Sequence, residues 1–147
     1  MPKLNLSEIE QTNRTTYPMP FAGDMTRRRF RRLAPAAGIK DFGVSHVVLE
    51  PGGISSQRHW HSDVDEMVVM LEGEAVLVED EGETLLVAGD IAAFPKAAAN
   101  GHHLVNRSER DCVFLAIGNN GGDCHYSDVD LHWNAAGHYS RKDGTPY

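Results

Sequence analysis

The stretch Gly53-Ile-Ser-Ser-Gln-Arg-His59-Trp-His61-Ser-Asp-Val-Asp-Glu66-Met-Val-Val-Met-Leu-Glu-Gly73 decides how this chain folds and what it can hold. In an extended strand side chains two apart share a face, so His59 and His61 point to one side and Trp60 to the other. The acidic bend Ser62-Asp63-Val64-Asp65 follows. A bend of that length folds the next strand back on the first and brings Glu66, at its start, beside the two imidazoles. Imidazoles and a carboxylate converging from strands form a ligand set for a divalent metal ion. Gln57 falls on the same face and is expected to hydrogen-bond a substrate there. Arg58 and Trp60 are expected to face away, with Trp60 packing.

Working outward, the chain from residue 44 is a series of short apolar runs broken by Gly, Pro or acidic turns. Strands are expected at 44–50, 56–61, 66–71, 75–79, 83–87, 91–94, 102–106 and 112–118, and Asp80-Glu81-Gly82 has the chemistry of a tight hairpin turn. The class is all-β, a two-sheet jelly roll or barrel. Ser7 is expected to cap at most one short helical turn. Residues 1–20 form an N-terminal arm, because Asn, Thr, Gln and prolines interrupt every apolar pair. Residues 21–120 form the barrel, with Met70, Phe94 and Phe114 lining its apolar depth. Residues 121–147 form a C-terminal flap anchored by Leu131, Trp133 and Tyr139. Tyr126 either closes over the site, to donate a proton or a hydrogen bond to substrate, or sits in a surface turn.

With 147 residues, 41% of them hydrophobic, the chain has the length and core of one domain. A net charge of -7 excludes a nucleic-acid or anionic-membrane partner, both of which need a basic face, and leaves small solutes. No apolar run is long enough for a membrane helix, and the first residues lack a signal-peptide core, so a cytoplasmic location is expected. Cys112 and Cys124, without Cys-x-x-Cys spacing, are expected to be unpaired thiols. The single basic cluster, Arg27 to Arg32, holds five arginines in six residues. As a strand it puts Arg27, Arg29 and Arg31 on one face and Arg28, Phe30 and Arg32 on the other. A solvated or subunit-contact face is one reading. The other gives Arg32 a bidentate contact with an anionic substrate. His46 is expected to be an ordinary hydrogen-bonded histidine.

Gly53, His59, His61, Glu66 and Gly73 fill the fixed positions of the first cupin motif, Gly-x5-His-x-His-x4-Glu-x6-Gly. Gly89-Asp-Ile-Ala-Ala-Phe-Pro95, His102 and Asn106 match the second, except that Ala97 stands where Gly is expected and two extra residues separate Pro95 from the histidine. The chain therefore resembles the cupin superfamily, and within it the one-domain bacterial cupins labelled sugar phosphate isomerases. The resemblance implies a double-stranded β-helix and one divalent ion (Zn, Fe, Mn, Ni or Cu) on His59, His61, Glu66 and His102. His103 is expected to face the other way. A small-molecule substrate, anionic or polyhydroxylated, is expected, and a homodimer with arms exchanged. The activity implied is isomerase-like. A metal-dependent dioxygenase and a non-catalytic small-ligand binder are the alternatives.

Overall fold

Alternation of apolar and polar residues becomes strand pairing in a computed structural model that describes residues 3–119 and 121–147. A five-stranded antiparallel sheet runs β1 (Arg28–Arg32), β2 (Phe42–Leu49), β9 (Cys112–Asn119), β4 (Glu66–Glu72), β7 (Ile91–Phe94) in spatial order. A second sheet orders β6 (Gly82–Val87), β5 (Glu74–Glu79) and β8 (His103–Val105). A third orders β12 (Tyr139–Ser140), β11 (His132–Trp133), β10 (Cys124–Tyr126) and β3 (His59–His61). Paired backbone hydrogen bonds between His59 and His102, 3.1 and 2.8 Å, stitch the third sheet to the strand that continues into β8. The two smaller sheets thus act as one layer opposite the five-stranded one, the jelly-roll arrangement.

The core lies between the layers and contains Leu49, Met70, Leu77, Phe94, Leu104 and Phe114, all buried. Each projects inward because its strand alternates, as in β5, where Ala75 and Leu77 are buried between more exposed neighbours. The glycines of the first motif are steric requirements. A Cβ on Gly53 would meet the Arg27 carbonyl oxygen at 2.8 Å, and one on Gly73, at φ +69°, would meet that of Asp111 at 2.8 Å.

Both flanks are built into the barrel. Thr12 exchanges backbone hydrogen bonds of 3.0 and 2.9 Å with Phe30 and so lies along the edge of β1. Tyr17 packs on Tyr126 and Tyr139 beneath the tail. The short turn in the arm is a 3-10 helix, Leu6–Glu8, capped by the side chain of Asn5 rather than by Ser7. In the tail, β10 pairs with β3 along its length, Cys124 to His61, His125 to Trp60 and Tyr126 to His59. A second small core of Cys124, Tyr126 and Leu131 fills the space beneath it. Among the described residues no helix is long and apolar enough to cross a membrane.

Candidate metal centre

His59 and His61 leave β3 on the same side, and the bend after them returns the chain as β4 with Glu66 at its first position. The Nε2 atoms of three imidazoles surround the Glu66 carboxylate: His102 at 2.9 Å and His59 at 3.7 Å from Oε2, and His61 at 3.4 Å from Oε1. His102 is held by the ring of Phe94, stacked at 3.7 Å with an interplanar angle of 4°.

The other ring nitrogens fix the tautomers. His59 Nδ1 lies 2.9 Å from the Gln57 carbonyl, His61 Nδ1 3.1 Å from that of Asp123, and His102 Nδ1 3.3 Å from that of Asn100. A carbonyl can only accept, so each Nδ1 donates to its carbonyl and leaves Nε2 as the ring atom that faces Glu66. With neutral rings three Nε2 lone pairs would face the carboxylate, so a cation or protons must lie between them and it. Donation from Nδ1 to a carbonyl is also the arrangement that orients metal-binding histidines. The donor set therefore fits a divalent ion. Burial pushes the Glu66 carboxyl up, but the His102, His59 and His61 imidazoles outweigh it and hold the group well below the usual carboxylate range.

Ligand atoms of His59, Glu66 and His102 lie within 4.8 Å of one another, and so do those of a second group, His59, His61 and Cys124. Cys124 was not singled out by its spacing, because only the pairing of β10 with β3 brings it there. Burial pushes its thiol up to about 12, so it is protonated at neutral pH.

His59, His102 and Glu66 open onto a cavity of about 440 Å³ between the layers. Arg32 lines it, as does Arg28, with Phe30 between them on the inward face of β1. Nothing in an arginine run distinguishes the deep member from the exposed one, so the sequence alone does not single out Arg28. Gln57 does not line the cavity: its side-chain amide donates to Asp24 Oδ2 at 2.6 Å. The alternation that put it with His59 requires a strand, and β3 begins only at His59.

Tyr126 is neither a lid nor part of a surface turn. It is buried behind His59, ring centres 5.9 Å apart, and hydrogen-bonded to Tyr17. Burial holds its hydroxyl far above the usual range, so it is a poor acid. His103 turns away from Glu66, its Nδ1 2.9 Å from the Ser56 carbonyl. Trp60 stacks on His125 at 4.1 Å on the outer side of β3. His46 leaves Nδ1 buried without a hydrogen-bond partner, where an ordinary bonded histidine was expected.

Residues 45–118 match the Cupin domain family. A protein named a sugar phosphate isomerase of the cupin superfamily, from Silicibacter pomeroyi DSS-3, is 43% identical over 99% of this chain and 96% of its own, with a TM-score of 0.94. A protein provisionally given the same isomerase name, from Acidithiobacillus ferrooxidans ATCC 23270, is 25% identical over 77% of this chain and 74% of its own, TM-score 0.72. The polyketide cyclase RemF from Streptomyces resistomycificus, 18% identical over 88% of this chain and 87% of its own at TM-score 0.72, shares the fold. No curated protein matches.

Proposed function

The chain belongs to the cupin family, and we propose that it holds one divalent ion on His59, His61, Glu66 and His102 and acts on an anionic or polyhydroxylated small molecule in an isomerase-like reaction. The observation that carries this reading is the trio of Nε2 atoms turned toward one half-buried carboxylate, each ring fixed by a carbonyl at Nδ1. The isomerase name of the 43% identical neighbour supports the reaction class. A bound divalent ion supplies Lewis acidity toward adjacent carbonyl and hydroxyl oxygens. The chain's own contribution is orientation: Phe94 fixes His102, and the hydroxyls of Ser55 and Ser56, on the same wall, offer hydrogen bonds to a polyol.

One observation favours a second reading. Among the described residues lining the cavity Glu66 is the only carboxylate, and its oxygens face the imidazoles, so no separate base is at hand for moving a proton between carbons. A metal-dependent dioxygenase or a non-catalytic ligand binder needs no such base.

Elemental analysis of protein purified without added metal tests the core of the proposal. The wild type is expected to carry close to one divalent ion per chain, and His59→Ala and His102→Gln to lose most of it, while His103→Gln keeps it. Wild-type metal content in His59→Ala would remove the site assignment. Aldose to ketose phosphate interconversion with no oxygen uptake supports the isomerase; oxygen uptake with bound iron supports the dioxygenase.

A further inference from the structure

Arg28 and Arg32 are both cavity-facing, yet they differ in depth: Arg32 is exposed and Arg28 is partly buried. Among the described residues Arg28 makes one hydrogen bond, from Nη1 to the Ser55 carbonyl at 2.7 Å, and its guanidinium carbon lies 5.3 Å from the centre of the Phe30 ring. Its Nε is enclosed and has no acceptor. Arg14, Arg29, Arg58 and Arg107 each have a carboxylate partner among the described residues; Arg28 has none, and of the other arginines without one, only the exposed Arg32 also lines the cavity. A desolvated cation without a counter-ion is costly unless something returns its charge and hydrogen bonds. Glu66 does not return them, being engaged by three imidazoles.

Arg28 also stands near the candidate metal centre. Ser55, its anchor, is followed by Ser56, whose hydroxyl is 3.1 Å from His59 Nδ1. The cation and the imidazole cluster are thus parts of one cavity wall, in a chain whose net charge is -7. An acidic protein that keeps an unmatched arginine in its cavity has a place there for an anion.

The geometry points to Arg28 as the residue that binds the anionic group of the cavity ligand, a phosphate monoester or a carboxylate, on its Nε and Nη2 edge. That edge is the fork that takes two oxygens at once. Binding turns the guanidinium off the Phe30 ring toward the cavity while Nη1 stays on Ser55. The rest of the ligand then reaches toward Glu66, and Arg32, exposed, adds attraction at longer range. The inference rests on the cavity being a small-molecule site, as proposed above, but not on the ion.

Calorimetric titration of the full chain, metal-loaded and metal-stripped, with ribose 5-phosphate, gluconate and the neutral polyol ribitol tests it. The wild type is expected to prefer one of the two anions to ribitol by roughly tenfold or more, and the preferred anion identifies the source as phosphate or carboxylate. Arg28→Met is expected to erase that preference without changing ribitol binding or metal content. Arg28→Lys, which keeps the charge and loses the fork, is expected to retain part of it, and stands in if the Met variant does not fold. Anion binding unchanged in Arg28→Met, or, where that variant does not fold, in Arg28→Lys, overturns the assignment, as does a wild type that treats ribitol and both anions alike. A wild type that binds no metal defeats the metal proposal alone, since the metal-stripped titrations still decide Arg28.

Discussion

Ala97 occupies the position where the second cupin motif carries glycine, and its backbone keeps the glycine conformation, φ +61°. The reason is local: its N–H donates to the His61 carbonyl at 2.8 Å, which ties the loop after Pro95 to the strand bearing two of the imidazoles. A Cβ in the left-handed region costs about 1 kcal/mol or more. Ala97 is exposed, so nothing else is disturbed by removing that Cβ. Ala97→Gly is therefore expected to raise stability by about 1 kcal/mol, net of the extra freedom of glycine in the unfolded chain, with the fold and metal content unchanged. Urea denaturation checks this; an equal or lower midpoint would mean that the surrounding loop has relaxed the strain. At this scale the sequence was legible where a side chain's role follows from the strand it sits on, as for His59, His61 and Glu66. It misled at Gln57, one residue short of the regular strand, and it could not separate Arg28 from Arg32, because both share a face and only depth distinguishes them.

The elements divide in the same way. Runs such as 91–94 and 112–118 were legible as strands because they alternate or are continuously apolar between turn residues, and β7 and β9 occupy those positions. The tail, rich in Gly, Asp, His and Tyr, reads as a flap on its anchors Leu131, Trp133 and Tyr139 and not as strands, because β10, β11 and β12 are two or three residues long, too short for any period to appear. Their partner is what makes them strands. β12 pairs with β11, β11 with β10 and β10 with β3, and the Asp123 carbonyl at the start of the tail holds His61 Nδ1 at 3.1 Å. Removing residues after Gly121 therefore takes away the strand against which both imidazoles are set. The shortened chain is expected to lose most of its metal affinity, not only a cover over the ligand. Zinc titration with a competing chelator measures it; an unchanged affinity would show that β3 keeps its place without β10.

At the scale of the whole molecule the open question is the edge of the five-stranded sheet. An exposed strand edge invites pairing with another chain, and β1 is such an edge. Composition marked residues 1–20 as an arm but could not say whose sheet it joins, since a strand partner in the same chain and one in a second copy demand the same residues. The arm lies on its own chain, with Thr12 paired to Phe30 and the Ile9 carbonyl accepting from Arg31 Nε at 3.1 Å. With the arm in this position no exchange between copies is needed to close β1, and deleting residues 1–13 opens it. That chain keeps Tyr17 for the small core beneath the tail, and it loses no histidine or carboxylate of the candidate centre. The expected outcome is greater self-association at micromolar concentration with metal content unchanged, read by sedimentation velocity and elemental analysis. A shift of the deleted chain to lower mass than the full chain would instead mean that the arm reaches the edge of a neighbouring copy, the exchanged homodimer that the composition of the arm first suggested.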